Sequence, residues 1–417
     1  LFPEATTDST GSPAFDVLEP QIYQVLSKSG EWTARFNGTT SYTTAVNSVD
    51  FNSTNSGNTY IGAAHLSVFN GNISEVVLYG RELTATERAR VQSYLAIKYG
   101  IAIDQSTPTD YLAGDGTVIW DASTHIGHLD GIAALGRDDC QGLHQKQARS
   151  TATGDELTIA LGAEVKSFNS DHNDSITNDG SFLFWSNNDG SQLFTQQISV
   201  TANSTVRYGR SWQIGRHNWS DKDVTLCFDN ADKEDYYLII ASDSNFSSIL
   251  NEIPINDSTG CVTINSSLLS DGVYFTIGRT LMAPGCVFGS LRFWIRTDIG
   301  LSETVDNAVV GTGEWEDLVG DVQIASHNNP TLQNQASDLI NYHPRVSYVN
   351  QYHQWDSDMG LEGSGDFTIV AAFAEVRSGE TFIGTNPAPA GAIQYHFDPD
   401  NQGIWRYAQT NITLGTQ

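Results

Sequence analysis

Three observations predict an all-β chain of sandwich-like domains carrying one short helix: a turn-rich composition, short apolar runs bounded by turn residues, and a single helical segment. Charged residues make up only 17% and hydrophobic ones 39%, and 37 Gly stand among a large stock of Ser, Thr, Asn and Asp. That mixture favours half-buried strands joined by tight turns over amphipathic helices or disorder. At 417 residues the chain exceeds one ordinary domain, and a prior of roughly 100–200 residues per domain gives two or three. The longest apolar runs, such as FTIVAAF at 367–373, fall far short of the roughly 20 residues that a membrane-crossing helix needs.

The elements follow in order. YQVLSKSGEWTARFNGTTSYTT at 23–44 alternates strand patterns around Asn37-Gly38, a strong hairpin signal because both residues tolerate positive φ. A helix is expected over 85–99. Thr84 and Glu87 have capping-box spacing, in which each side chain satisfies a backbone amide at the helix start. Val91, Leu95 and Tyr94 or Lys98 then recur at helical spacing, and Gly100 stops the helix. From about 104 to 280 short strands alternate with Asn/Asp/Gly turns: 116–120, 156–162, 181–187, 210–215, 223–228, 236–242, 260–265 and 273–278. Eight strands at that spacing predict a sandwich. MAPG at 282–285 reads as a linker, and the plainest strands beyond it are 291–298, 367–376, 381–385 and 392–398.

The last segment has the opening strands of a sandwich without closing hairpins, and the first has closing hairpins and a helix without opening strands. Unpaired edges make half-sandwiches insoluble. Residues 287–417 and 1–104 are therefore expected to be halves of one jelly roll, circularly permuted or nicked, with 105–286 as a companion sandwich. The rival is a fragment of a tandem array. LFPEATTDST has neither a basic start nor an apolar stretch, so the chain is expected to be mature or excised.

Lys+Arg 21 against Asp+Glu 49 gives a net charge of −28, which repels a nucleic-acid backbone. The same oxygens suit a hard cation such as Ca²⁺. Of the four cysteines, Cys227 and Cys261 each lie near the end of an expected strand and are expected to pair; Cys140 with Cys286 follows by exclusion. Disulfides, two Met and ten Asn-x-Ser/Thr triplets fit an exported protein.

FNGNISEVVLYGRELTATERARVQSYLAIKYGIAID (69–104) resembles the closing hairpin and helix of LamG-like, concanavalin A-like jelly-roll domains. LRFWIRTDIG (291–300), EWEDLVGD (314–321) and INYHPRVSYVNQYHQW (340–355) resemble the opening of such a domain. DGTVIWDASTHIGHLDGIAALGRDDCQGLHQKQARS (115–150) and SFLFWSNNDG (181–190) resemble the uncharacterised β-rich domain that commonly follows it. The resemblance implies a lectin-like module with a β-sandwich companion, as in surface adhesins and secreted multidomain proteins of marine bacteria, and no enzyme. The order departs from the family: LRFWIRTD here comes after the helix.

A concanavalin A-like fold also hosts glycoside hydrolases, whose retaining members place two carboxyl groups about 5–5.5 Å apart. Glu314-Trp315-Glu316-Asp317 is the nearest candidate, but its acids are consecutive, so it reads as surface acids around a buried Trp315. His125, His128 and Asp130 would suit a metal on a helix; Gly127 and the β pattern make them a satisfied or surface pair. No Gly-x-Ser-x-Gly elbow, HExxH or phosphate loop is present.

Sugar recognition needs flat aromatic faces beside carboxylates and amides. The stretch 350–358 supplies Tyr352, His353, Trp355 and Asp356, with Tyr352, Gln354 and Asp356 on one strand face and His353, Trp355 and Ser357 on the other. The stretch 396–405 supplies His396, Asp398 and Trp405. Asp398, Asp400 and Asn401 form the best calcium loop, with Asp356 and Asp358 second and the oxygen-rich 171–174 and 178–179 loops in the companion domain. Trp185 and Trp212 read as core; Trp219, in a polar turn, is left open between core and exposed contact. The function expected is non-catalytic, calcium-assisted glycan binding by part of a larger secreted or cell-surface adhesin, without nucleic-acid binding or membrane insertion. A ligand-free spacer and a polysaccharide-cleaving hydrolase are the alternatives.

Overall fold

A computed structural model describes residues 18–47, 60–64, 67–192, 194, 196–198, 204–229, 236–256, 258–280, 283–287, 291–319, 322–355, 368–372, 380–384, 394–397, 406–407 and 410–411. The chain forms two compact units, Leu1–Leu291 and Arg292–Gln417. The fold is all-β, in several sheets, with one α-helix among the described residues. None of those residues forms a helix long and apolar enough to cross a membrane.

In the first unit Tyr23–Lys28, Glu31–Phe36 and Thr39–Thr44 make a three-stranded antiparallel sheet. Asn37 (φ 46) and Gly38 (φ 94) turn the second hairpin, the paired positive φ values that match strand twist. The helix spans Ala85–Tyr99; the Thr84 side chain accepts from Glu87 N–H, the Glu87 side chain accepts from Thr84 N–H, and Gly100 ends it at φ 67. Residues 69–80, read from sequence as a closing hairpin, join no ladder and expose Val76, Leu78 and Tyr79. Glu75 ties this stretch to the helix by accepting from Lys98 Nζ and the Tyr99 hydroxyl, each at 2.8 Å.

All eight strands expected between 104 and 280 form, with ends shifted by no more than two residues. The largest sheet has nine antiparallel strands. At its centre Ser181–Asn187 lies between Asp130–Asp138 and Trp212–His217, and every residue of Ser181–Asn187 is buried. One face, through Ile132, Ala134, Phe182 and Phe184, packs with Ala96 and Ile97 of the helix and with Tyr111 and Trp120. On the other, Trp212 meets Phe228 of a four-stranded sheet built from Gln147–Arg149, Leu157–Leu161, Asp223–Phe228 and Cys261–Asn265. Phe184 and Leu183 are both 0% exposed although successive side chains point oppositely, as in a strand covered on both faces.

Cys227 and Cys261 face each other in this second sheet and are disulfide-bonded, as expected. The pairing of Cys140 with Cys286 is corrected: Cys140 is a free, exposed thiol in the 3-10 turn Asp139–Gln141. Pairing by exclusion counts cysteines, whereas this turn holds the thiol in solvent. The Cys286 side chain lies outside the described residues. Trp219 is core, not an exposed contact: it is 9% exposed, and its indole N–H donates to Ser266 Oγ at 3.0 Å. Trp185 and Trp212 are core as expected.

In the second unit Ala325–His327 pairs with Tyr352–Gln354, and Thr331–Gln333 with Arg345–Ser347. Val310, Trp315, Ile324 and Leu332 form its core, flanked by Phe293 and Val346. Glu380–Gly384 and Gln394–Phe397 pair as the two expected strands there. The strand expected at 291–298 does not form: Trp294 N–H donates to Asp317 Oδ1 and its carbonyl accepts from Leu318 N–H, both at 2.9 Å. A loop, not a neighbouring strand, takes those ladder groups. Residues 368–372, expected within a strand, are irregular and exposed.

Candidate functional site

The edge strand Tyr352–Gln354 carries the first candidate surface. Its alternation is the one expected: Tyr352 and Gln354 are exposed, His353 and Trp355 partly buried. Pairing with Ala325–His327 sets His327 opposite Tyr352, and their rings stack at 4.5 Å and 13°. On the inner side His353 meets Trp315 edge-on at 5.4 Å and its Nδ1 lies 2.8 Å from the Tyr348 hydroxyl. Burial holds the His353 imidazole below its ordinary range. Trp355 stacks on Phe293 at 4.8 Å. The strand thus divides its aromatics: Tyr352 faces solvent, whereas His353 and Trp355 pack toward the core.

Asp356, Asp358, Asp398, Asp400, Asn401 and Trp405 lie outside the described residues. His396 sits in Gln394–Phe397 opposite Thr381 and Arg406, with its side chain outside them. Trp315 is buried as expected, but Asp317, expected on the surface, is buried as well: its Oδ1 accepts from Trp294 and Val319 N–H, and Glu314 accepts from Gly311 N–H. His125 and His128, expected as a satisfied or surface pair, are both buried, and His125 Nε2 has no hydrogen-bond partner among the described residues. The His125 ring lies 4.8 Å from Trp120 with Nδ1 2.9 Å from Asp121 O, and His128 Nε2 is 2.9 Å from Ser211 Oγ. Burial, then the charge of His125, lowers His128 to about 4. Among the described residues no three His, Cys, Asp or Glu side chains gather to hold a metal ion.

A second arrangement, absent from the sequence reading, lies in the first unit where Asp130–Asp138 and Ser181–Asn187 meet at a bulge. The register shifts between Trp185 and Asn187, leaving Asn187 opposite Asp130. Bulges re-aim side chains at strand ends. Beside it is a cavity of about 260 Å³ lined by Asp130, Gly131, Asp155, Asn187, Asp189 and Arg210, among others. Asp155 is 3% exposed; its Oδ1 accepts from Leu157 N–H at 3.3 Å, while buried Oδ2 has no hydrogen-bond partner. Burial raises its carboxyl to about 6 against the opposing pull of the Leu157 amide, Arg210, Arg149 and the Ser150 hydroxyl. Asp130 is raised as well, first by desolvation and then by Asp189. Arg210 is anchored, its Nε donating to Gly190 O at 3.0 Å and Nη2 to Asp189 Oδ1 at 3.3 Å.

The sequence signal for this cavity was the Asn187-Asn-Asp-Gly190 run closing an apolar strand, with the Asp155-Glu156 pair opening another. Residues 87–273 match the model of a domain of unknown function (DUF8202), a span of less than half the chain that includes all but the first two residues of the helix and every residue lining the cavity. No curated protein and no solved structure matches the chain.

Proposed function

We propose that the chain is a non-catalytic carbohydrate-binding module, part of a larger secreted or cell-surface adhesin, that holds a glycan on the outward face of Tyr352–Gln354. The observation that carries this reading is the Tyr352 ring, 48% exposed and fixed against His327, with Gln354 exposed on the same face. An ordered ring stacks on the C–H face of a pyranose, and an amide beside it both gives and takes hydroxyl hydrogen bonds. The Cys227–Cys261 disulfide agrees with an oxidising compartment, and a net charge of −28 disfavours a nucleic-acid partner. Affinity per site is modest, because sugar hydroxyls exchange water for protein at little net gain, and repeated copies supply avidity.

A glycan array probed with the full chain, in millimolar Ca²⁺ and again in EDTA, tests the reading alongside Tyr352→Ala. The expected result is reproducible binding that falls by about tenfold or more in the variant, roughly 1.4 kcal/mol. Loss in EDTA assigns calcium to the site and directs substitution to Asp398 and Asp400; persistence in EDTA removes calcium. A folded chain that binds nothing leaves the spacer reading, and binding that ignores Tyr352→Ala overturns this site.

A further inference from the structure

The ladder between Ala325–His327 and Tyr352–Gln354 lies in two stretches that contain no Asp, Glu, Lys or Arg, 322–337 and 346–355. Both belong to a unit whose sequence, 292–417, holds sixteen Asp or Glu, five Arg and no Lys. Tyr352 therefore sits on an uncharged island within an acidic unit. His327 covers one face of its ring at 4.5 Å and 13°, which leaves the opposite face for a ligand. The same end of the ladder carries a rim of amides. Asn328 and Asn329 follow His327, and Asn350 stands two residues before Tyr352, at most about 7 Å along the chain. All three are exposed, with φ 60, 60 and 61, a backbone that Asn adopts more readily than most residues. The rim is braced across the ladder: Asn328 Nδ2 donates to Asn350 O at 3.1 Å, and Gln351 Nε2 donates to Asn329 O at 3.0 Å. These bonds engage the main chain of Asn329 and Asn350, and among the described residues their side-chain amides make no hydrogen bond.

We propose, resting on the carbohydrate reading above, that this face takes an uncharged oligosaccharide, one sugar stacked on Tyr352 and the next hydrogen-bonded by the side-chain amides of Asn329 and Asn350. Each amide offers two donors and an acceptor, so it bonds sugar hydroxyls without carrying a charge. A uronic-acid or sulfated chain needs cationic partners, and neither stretch supplies Lys or Arg. The unit's carboxylates also repel such a chain within a Debye length of about 8 Å at physiological salt. A cationic chain needs carboxylates, and the two stretches contain none. Because the rim is already braced by Asn328 and Gln351, engaging it costs little of the loop ordering that weakens binding elsewhere. A single sugar stacked on Tyr352 forgoes the rim, whereas a chain of two or more reaches both.

The test is calorimetric titration of the full chain with unbranched hexasaccharides of glucose, galactose, mannose and xylose, with the four monosaccharides, and with hexamers of galacturonic acid and of sulfated galactose. The expected result is saturable binding of at least one neutral hexamer, about tenfold or more tighter than its monosaccharide and lost in Tyr352→Ala. Asn329→Asp and Asn350→Asp keep the side-chain size and tolerate the same φ; each should weaken the hexamer about fivefold, the loss of one hydrogen bond. If either variant does not fold, the other decides together with the hexamer-to-monosaccharide ratio of the wild type. Equal affinity for hexamer and monosaccharide, or wild-type affinity in the Asn variants, overturns the rim. Tighter binding of an anionic hexamer that still requires Tyr352 overturns the uncharged class and spares the carbohydrate reading. Absence of binding by every hexamer, or binding that ignores Tyr352→Ala, overturns the Tyr352 site and the uncharged class with it.

Discussion

Ser266 is wholly buried in the short turn Ser266–Leu268, and its hydroxyl oxygen accepts from both the Trp219 indole N–H and the Lys222 backbone N–H at 3.0 Å. Two donors from one polar turn thus share one acceptor, which is why a Trp set among His217, Asn218, Ser220 and Asp221 ends in the core. Ser266→Ala removes the acceptor and leaves both donors without it. A stranded buried donor costs about 1–3 kcal/mol, so the substitution is expected to lower unfolding free energy by about 2 kcal/mol or more, read from urea denaturation followed by Trp fluorescence. A change below about 0.5 kcal/mol, the range of an ordinary surface substitution, would show that water reaches the turn. Thr84→Ala is the exposed counterpart. It deletes one side of the capping box while the helix keeps its packing against Phe184, and the expected loss is about 1 kcal/mol.

The disulfide joins two neighbouring strands of the four-stranded sheet across a sequence separation of 34. Closing a loop of that length removes chain entropy from the unfolded state, by roughly 4 kcal/mol in the entropic model. The Cys227→Ser, Cys261→Ser double variant is expected to lose roughly 2–4 kcal/mol in a urea titration, and a change near zero would mean that the unfolded chain holds these strands together without the bond. Both strands were legible because VTLCF and CVTIN pair β-branched residues with clear turn boundaries, and the helix was legible through Thr84, Glu87 and Gly100, whose chemistry is local. The strand Asp130–Asp138 was not. DGIAALGRD is rich in Gly and Ala, which have little strand preference of their own, and it is held in place by Phe182 and Phe184 from a distant segment. The same reason hides the packing over Gly131: Gly131, Asp155 and Asn187 come from three separate parts of the chain. In the second unit the alternation at 352–355 was readable, but the inward packing of His353 and Trp355 depends on Trp315 and Phe293.

Two buried groups in the first unit give the fold opposing dependences on pH. Asp155 is raised by burial from 3.8 to about 6, so the native state holds a proton that the unfolded chain has already released, and stability falls as pH rises from about 4 to 6. His128 is lowered from 6.5 to about 4, so the unfolded chain takes up a proton that the native state refuses, and stability falls as pH drops from 6.5 to 4. Each shift corresponds to a contribution on the order of 3 kcal/mol, and the windows overlap, so in the wild type these two contributions largely cancel. Single substitutions separate them. With Asp155→Asn the desolvation cost of the buried carboxylate is gone; the variant is expected to exceed wild type above pH 6, and the advantage should vanish toward pH 4. With His128→Gln, stability relative to wild type should improve on acidification through the same window. Urea unfolding at intervals across pH 4–7 reads both, and taking differences from wild type cancels the background of the many surface carboxylates. Parallel curves for wild type and Asp155→Asn would show that this carboxyl is solvated in the folded state. A rising advantage with pH would instead mean that the chain keeps an ionisable group where an amide is more stable.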